Sequence, residues 1–184
     1  MGDQREYDVA IVGGSIAGCT AATLFGRAGR KVALIESHPD INAYKKLCTT
    51  QILASATPTL QRLGLDRPIE DAGGIRNSFE IWTRRGWVRD PAYGSGTAPY
   101  GYSIRREKLD PMLRRMAGTT PGVDLLLGNR ARKLLTADDG KIAGVTVEDR
   151  EGNSRDIMAR LVVGADGRNS PTAEMAGVRA ARWK

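Results

Sequence analysis

Short apolar runs alternate with helical and turn-forming stretches along this chain. Tyr7–Val12 and Lys31–Ile35 are apolar, and their composition is typical of buried parallel strands. The residues between these two runs follow a helical pattern. The pattern therefore predicts a βαβ unit over Tyr7–Glu36, around which we expect the rest of the chain to be organised.

The middle of the chain predicts a helix and the beginning of a second sheet. A helical pattern covers Ile52–Leu63, restarts at Thr57 and ends at Gly64. Asn77–Thr83 alternates as a strand does, and a turn leads back into Trp87–Arg89. The apolar positions of this predicted hairpin are Phe79, Ile81, Trp82 and Val88. A hairpin of two strands needs more strands or a helix to cover such positions.

The second half predicts a strand at Tyr100–Ile104, a helix and an antiparallel meander. The core-facing positions of the helix are Leu109, Met112, Leu113 and Met116. Val123–Leu127 is expected to be a buried strand. The meander strands are predicted at Ala131–Thr136, Ile142–Arg150 and Ser154–Arg160. Leu161–Ala165 is again a buried strand of the parallel type.

The turn after the first strand reads Gly13, Gly14, Ser15, Ile16, Ala17 and Gly18. It matches the dinucleotide fingerprint G-x-G-x-x-G at its first and third glycines and departs from it at Ser15. Gly13 lets the chain turn sharply out of the strand. Gly18 lets the helix pack closely and leaves its N-terminal amides to bind a pyrophosphate. A side chain at Ser15 narrows the approach to the phosphates, although its hydroxyl can donate to them.

Glu36 ends the second strand of the unit, about twenty residues after the glycines, where an acid accepts hydrogen bonds from an adenosine ribose. Its charge disfavours a 2′-phosphate, so we expect FAD or NAD rather than NADP. The loop that begins at Ser37 is predicted to face the cofactor. In this loop Lys45 or Lys46 either neutralises the pyrophosphate or is simply solvated.

A second acid follows a buried strand at the other end of the chain. Asp166 and Gly167 come directly after Leu161–Ala165, and Ser170 and Pro171 have the sequence of a helix start. The carboxyl ends of parallel strands meet at one edge of a sheet, so this acid is predicted to lie beside the glycine turn.

The composition, with 184 residues, 41% hydrophobic and 27% charged, predicts one ordinary domain that is soluble and cytoplasmic, with no membrane partner. The net charge of +7 comes from scattered basic residues without an aromatic platform, so nucleic acid is not an expected partner. A single histidine and two cysteines, Cys19 and Cys48, predict free thiols and no metal site. Cys19 is expected to be a packing residue, whereas Cys48 either faces the cofactor or is buried.

These motifs together resemble the N-terminal part of the FAD-dependent monooxygenases of the para-hydroxybenzoate hydroxylase type. The glycine turn with Glu36 resembles the family's site for the ADP half of FAD. Arg106 with Leu109 and Asp110 resembles its R-x-x-L-D segment, and residues 161–170, LVVGADGRNS, resemble its Asp-Gly motif. The resemblance covers nearly all of the chain.

The resemblance implies roles for further residues. Arg106 would contact FAD, Asp166 and Gly167 would lie near the pyrophosphate and the path of NAD(P)H, and the backbone at Ala131 would hold the adenine. It also implies a Rossmann-like FAD-binding α/β fold with a parallel sheet, a crossover β-meander and part of an antiparallel substrate sheet. That substrate-sheet segment would interrupt the domain 1–184 at about 76–104.

Two departures from the family pattern affect the expected function. Ser15 and Ile16 replace the usual Gly and Pro, a variation that is similar to flavin halogenases and geranylgeranyl reductases. The family's Gly-Asp segment and the sheet that covers the substrate would both come after Lys184. We therefore expect an incomplete catalytic unit, completed by a further segment, by a second chain or by self-association.

The expected function is that of an FAD-dependent oxidoreductase, with NAD(P)H as reductant and an aromatic or polyketide-like small molecule of secondary metabolism as the hydroxylated substrate. A flavin halogenase and an FAD-dependent double-bond reductase are alternatives. A non-catalytic FAD-binding fragment or subunit is an alternative of another class. No catalytic acid or base is assigned, because the cofactor supplies the oxidising power in such enzymes.

Overall fold

The structure is a computed structural model that describes residues 6–78, 80–89 and 99–178. Its strands are β1 (Tyr7–Val12), β2 (Val32–Glu36), β3 (Gln51–Ile52), β4 (Ile75–Asn77), β5 (Ile81–Thr83), β6 (Gly86–Val88), β7 (Gly101–Ser103), β8 (Val123–Leu127), β9 (Arg130–Thr136), β10 (Ile142–Glu148) and β11 (Ser154–Gly164). Its α-helices are α1 (Ile16–Arg27), α2 (Thr57–Leu63), α3 (Asp66–Asp71), α4 (Arg106–Thr119) and α5 (Pro171–Met175).

The chain divides into two compact units. The first unit consists of Met1–Ala43 and Asp110–Lys184, and the second consists of Tyr44–Leu109. The predicted substrate-sheet segment, residues 76–104, lies within the second unit.

The first unit contains a six-stranded sheet with the order β8-β2-β1-β11-β10-β9. The pairs β8–β2, β2–β1 and β1–β11 are parallel, whereas β11–β10 and β10–β9 are antiparallel. The mixed α/β architecture and the βαβ unit predicted over Tyr7–Glu36 are therefore confirmed. Because β1 and β2 are central, they are covered on both faces, and Ile11 and Leu34 are fully buried.

The core of the first unit joins the parallel strands to the meander. Its buried members come from β1, β2, β9, β10 and β11, and they include Ile35, Val145, Val147 and Ile157. Burial of such aliphatic side chains contributes about 1.5–3 kcal/mol each. The core therefore fixes the carboxyl ends of β1, β2 and β11 relative to one another, and these ends carry the candidate site.

One prediction for the sheet was wrong. Ser154–Arg160 and Leu161–Ala165 were expected to be two strands, but β11 is one continuous strand of 11 residues. It pairs antiparallel with β10 as far as Met158 and parallel with β1 from Ala159 onward. No turn-forming residue lies between the two predicted segments, so nothing ends the strand there.

The second unit contains a three-stranded sheet with the order β3-β7-β4 and the separate hairpin β5–β6. The strand predicted over Asn77–Thr83 was wrong, because its two ends take different partners. Asn77 pairs with Gly101 in β7, and Ile81 pairs with Val88 in β6. The hairpin itself is confirmed over Ile81–Thr83 and Gly86–Val88. Phe79 lies outside the described residues.

The helix predicted from Ile52 begins later than expected. Gln51–Ile52 pairs with β7, Ala54–Ala56 forms a short 3₁₀ helix, and α2 starts at Thr57. Pro58 fits the first turn of α2, because that turn needs no amide from it, and Gly64 ends the helix as predicted. Among the described residues, no helix has both the length and the apolar composition needed to cross a membrane.

Candidate functional site

The turn between β1 and α1 is closed by a very near approach of backbone to backbone. Gly13 has a φ of +112°, and a Cβ there would lie 2.5 Å from the carbonyl oxygen of Ala165. A Cβ on Gly18 would lie 1.7 Å from the carbonyl oxygen of Gly13. Only glycine fits either position, because a Cβ does not approach backbone oxygen that closely. The structure thus confirms the sharp turn and the close helix packing that the fingerprint predicts.

The N-terminus of α1 is built to face a negative charge. Ser15 occupies the N-cap position with an extended backbone, and its side chain makes no capping hydrogen bond. The first turn, which begins with Ile16 and Ala17, contains no acidic residue. The first amides of a helix have no carbonyl partner within it, and the helix dipole adds positive potential there. A phosphate is the kind of group that such a terminus binds.

Glu36 lies beside this turn, as predicted from its place at the end of β2. Its Oε2 accepts a hydrogen bond from the Gly14 amide at 2.8 Å. Its Oε1 accepts bonds from the His38 amide at 2.7 Å and from the Ser37 hydroxyl at 3.3 Å. The carboxylate is therefore held in place by the backbone on both sides. Oε2 accepts one of these bonds and has a second lone pair with which it can accept a bond from a hydroxyl.

The turn after β11 lies next to the glycine turn. The Ala165 amide donates to the Val12 carbonyl at 2.8 Å, and Ala165 is also the residue that Gly13 approaches. This proximity places Asp166 and Gly167 at the same edge of the sheet as Gly13. The prediction that Asp166 lies beside the glycine turn is therefore confirmed.

Asp166 also forms hydrogen bonds that stabilise the start of α5. Its carboxylate accepts hydrogen bonds from the Thr172 amide at 2.9 Å, from the Thr172 hydroxyl at 2.7 Å and from the Ser170 hydroxyl. Burial raises the pKa of Asp166, but these hydrogen bonds outweigh burial, so the pKa lies below its ordinary value. Ser170 caps α5 by accepting from the Ala173 amide at 3.0 Å, as its position predicts. The role of Asp166 toward a cofactor stays a prediction.

Ala131 lies on β9, where it pairs with Val147. Its side chain packs against the core, so the backbone of this strand is what it offers to a ligand. Among the described strands β9 is at the edge of the six-stranded sheet, with one partner only. The predicted contact with adenine stays a prediction.

Lys45 and Arg106 belong to the second unit, where they lie near Cys48. Arg106 opens α4, is buried, and donates from Nη1 to the Cys48 sulfur at 3.6 Å. A hydrogen bond from the Thr50 backbone, together with Arg106 and the charge of Lys45, holds the pKa of Cys48 below its ordinary value. Cys48 is exposed, so the alternative that it is buried was wrong.

Cys19 contrasts with Cys48. It is fully buried in α1, as a packing residue should be, and burial raises its pKa to about 12. Both cysteines are free thiols, as predicted. In the part of the chain that the structure describes, no group of three or more His, Cys, Asp or Glu side chains is placed to bind a metal ion.

Sequence reasoning missed Arg114. This arginine lies on α4, is only 5% exposed, and donates from Nε to the Gly14 carbonyl at 2.8 Å. By helical spacing it lies away from the predicted core positions Leu109, Leu113 and Met116, so the pattern gave no signal for its burial. Its partner in the glycine turn is 100 residues away in sequence and gave no signal either.

A parallel βαβ unit with a tight glycine turn, an uncapped helix N-terminus and an acid at the end of the second strand defines a dinucleotide-binding domain. The sequence matches the family described as FAD binding domain over residues 6–182. The chain belongs to this family.

A curated relative, digeranylgeranylglycerophospholipid reductase 1 from Methanopyrus kandleri, is 32% identical over 174 residues. The match covers 94% of this chain and 43% of the relative. The chain thus spans less than half the length of this relative.

Solved structures share the fold. A probable FAD-dependent monooxygenase from Pseudomonas aeruginosa, PqsL, superposes with a TM-score of 0.75 at 21% identity, over 97% of this chain and 47% of that one. The myxobacterial chondrochloren halogenase CndH gives a TM-score of 0.72 at 21% identity, over 88% and 38% of the two chains. The resemblance to the N-terminal part of FAD-dependent monooxygenases, with relatives among reductases and halogenases, is therefore confirmed.

Replacing Gly18 by Ala tests the close approach of α1 to the turn. We expect Gly18→Ala to lower the free energy of unfolding by about 1–3 kcal/mol, the range for overpacking, and to weaken FAD binding. The Cβ collides with backbone that cannot move without opening the turn. Denaturant unfolding and FAD titration measure the two effects.

The matched control is Gly118→Ala, another glycine within a helix. A Cβ there meets only the Leu125 side chain, whose nearest atom is the terminal Cδ2 at 3.2 Å, so stability and FAD binding should stay close to those of the wild type. Equal behaviour of the two variants would show that the turn tolerates a side chain at Gly18.

The depressed pKa of Asp166 predicts a pH-dependent contribution to stability. A carboxylate with a lowered pKa in the folded state stabilises the fold above its unfolded pKa of about 3.9, and this contribution is lost as pH falls through the folded value. Asp166→Ala should therefore lower the free energy of unfolding at pH 7 by about 1 kcal/mol, and the difference from the wild type should shrink below about pH 4.

The exposed Asp156 on β11 provides the control, and Asp156→Ala should have little effect on stability. FAD titration of the same variants decides the second role of Asp166. We expect Asp166→Ala to impair flavin binding or reduction more than folding. A variant that loses stability without the cofactor yet binds and reduces FAD normally would leave only the capping role.

Proposed function

We propose that this chain is the nucleotide-binding part of an FAD-dependent oxidoreductase that hydroxylates an aromatic or polyketide-like small molecule with NAD(P)H as reductant. The observation that carries the FAD site is the placement of the Glu36 carboxylate directly beside the glycine turn and the N-terminus of α1. The class of reaction is supported by family membership and by a monooxygenase among the solved structures of this fold.

The residues present fit the ADP half of FAD. The N-terminal amides of α1 would bind the pyrophosphate, and the close turn that Gly13 and Gly18 allow brings these amides to the edge of the sheet. Glu36 accepts hydrogen bonds from the ribose hydroxyls, and Ser15 donates its hydroxyl to a phosphate oxygen. Bound FAD supplies the redox chemistry and the reaction with oxygen, whereas the protein binds and orients it.

Further contacts are proposed for each unit by itself. In the first unit, Asp166 and Gly167 face the pyrophosphate and the approach of NAD(P)H, the backbone at Ala131 holds the adenine, and Ser37 begins the loop that faces the cofactor. For the second unit, the resemblance implies that Arg106 contacts FAD, and Lys45 is proposed to supply positive charge. None of these residues is assigned a proton-transfer step.

We propose that the substrate region needs polypeptide beyond these 184 residues, from the same protein or from another chain. In the hairpin β5–β6, Ile81 and Val88 pair on one face and Trp82 and Trp87 on the other. All four side chains are exposed, Trp82 to 64%. A two-stranded hairpin with apolar residues on both faces is marginal unless it is covered.

A double-bond reductase is the second candidate, because the reductase from Methanopyrus kandleri is 32% identical. The variation at Ser15 and Ile16 also resembles that of geranylgeranyl reductases. A halogenase is supported by the solved halogenase of the same fold. The chain covers 43% of that reductase and 38% of that halogenase. A non-catalytic FAD-binding subunit is therefore a further alternative.

We expect the chain to bind FAD in preference to FMN, because Glu36 and the glycine turn recognise the adenosine and pyrophosphate that FMN lacks. Glu36→Ala should cost about 1–3 kcal/mol of FAD binding, the range for a hydrogen bond to a charged group, and should leave FMN binding unchanged. Fluorescence titration gives both dissociation constants. Similar wild-type affinities for the two flavins, or an unchanged FAD affinity in the variant, would contradict the proposed role of Glu36.

A turnover assay separates an oxidoreductase from a flavin carrier. The FAD-loaded chain is mixed with NADH or NADPH in air, with and without a panel of phenols, and nicotinamide oxidation is compared with that of free FAD. We expect slow oxidation by the 184-residue chain, because the hairpin leaves the substrate region uncovered. A monodisperse monomer that hydroxylates a phenol with coupled NAD(P)H consumption would contradict the need for further polypeptide.

The same assay, supplied with chemically reduced FAD and bromide, distinguishes the candidate reactions by their products. A hydroxylated aromatic supports the hydroxylase, a brominated aromatic the halogenase, and a saturated double bond in an added isoprenoid the reductase. If the FAD-loaded chain forms none of these products even when the further polypeptide is supplied, a non-catalytic subunit is favoured.

A further inference from the structure

Arg114 is a buried arginine whose guanidinium contacts three backbone carbonyls of the first unit. Its Nε donates to Gly14 at 2.8 Å, and its Nη1 donates to Ile41 at 3.2 Å and to Ala43. The side chain is only 5% exposed. Burial of a charged group costs free energy unless its donors form hydrogen bonds, so the three bonds of Arg114 offset the cost of its burial.

The bond to Gly14 fixes one peptide of the glycine turn. In a trans peptide the carbonyl and the following amide point in opposite directions, and no cis peptide bond is present among the described residues. Because the Gly14 carbonyl points toward Arg114, the amide of Ser15 points away from it. Ser15 is the N-cap of α1, so Arg114 sets the orientation of the peptide that leads from the turn into the helix.

The preceding peptide is fixed by a different residue. The Gly14 amide donates to Glu36 Oε2 at 2.8 Å, so both peptides that flank Gly14 are held by side chains of opposite charge. Rotation of either peptide would break a hydrogen bond. The glycine turn, which is flexible by composition, is therefore oriented before any ligand binds.

The same guanidinium connects the turn to the loop that follows Glu36. Ile41 and Ala43 lie in this loop, a few residues after the acid. Removal of the guanidinium would leave three carbonyls without these donors and would release the turn and the loop together.

We propose that Arg114 is a positioning residue for the diphosphate of the cofactor, which it serves by holding the Gly14–Ser15 peptide, and with it the glycine turn, in one orientation. The inference rests on the proposed FAD site. Arg114 itself touches no phosphate in this account, and its effect passes through the backbone of the turn.

The test compares ligands with and without a diphosphate. Arg114→Met keeps the length of the side chain and removes its donors, whereas Arg114→Lys keeps the charge without the planar fork that reaches several carbonyls. Dissociation constants are measured for FAD, ADP and adenosine. We expect both variants to bind FAD and ADP about tenfold more weakly, with adenosine affinity changed less than twofold.

Arg115→Gln is the matched control. Arg115 is the next residue of α4, is exposed, and donates to the Asn42 side chain of the same loop at 2.5 Å. Its replacement should leave all three dissociation constants within about twofold of the wild type, since no turn carbonyl depends on it. An equal loss for ADP and adenosine in the Arg114 variants would indicate a merely structural role and overturn the inference.

A measurement on the wild type covers the case in which the Arg114 variants do not fold. In an amide-resolved NMR titration with ADP, the amides of the glycine turn, residues 13–18, should shift strongly, and unshifted turn amides in a protein that binds ADP would overturn the inference. If the wild type binds FAD and ADP while the Arg114 variants bind them equally well, only the inference fails. If the wild type binds neither ligand, the proposed function fails with it.

Discussion

The fit of Gly18 against the Gly13 carbonyl is the constraint on which the rest of the site depends. A hypothetical Cβ at 1.7 Å from that oxygen shows that α1 starts as close to the turn as backbone allows. Gly13 in turn lies against Ala165, so the ends of β1 and β11 and the start of α1 meet at one place. The sheet core holds these ends together, and the amides of α1 are thereby presented at the carboxyl edge of a parallel sheet.

Two charged side chains complete this arrangement from opposite sides. Glu36 accepts from the Gly14 amide, and Arg114 donates to the Gly14 carbonyl. The polar groups of the turn are thus partly satisfied within the protein. The turn therefore has one orientation before a cofactor binds, which reduces the conformational entropy lost on binding. The family match over residues 6–182 agrees with a site organised in this way for FAD.

Local signals predicted the elements whose partners lie nearby in sequence. The βαβ unit, the glycine turn, Glu36 beside it and the Ser170 cap of α5 all follow from spacing over a few tens of residues. The continuity of β11 was missed because its halves pair with β10 and with β1, and a period of two does not say which partner a strand has. The split of Asn77–Thr83 between β7 and β6 was missed for the same reason. Arg114 was missed because its partners are backbone carbonyls distant in sequence, which leave no residue pattern.

A crystal structure of the chain with FAD tests most directly whether the glycine turn and Glu36 bind the ADP half of the cofactor. We expect the pyrophosphate within hydrogen-bond distance of the first amides of α1, and the adenosine ribose hydroxyls on the Glu36 carboxylate. Gly14 should keep the peptide orientation that Arg114 sets. An ADP half bound away from the glycine turn, or a ribose that does not contact Glu36, would contradict this assignment.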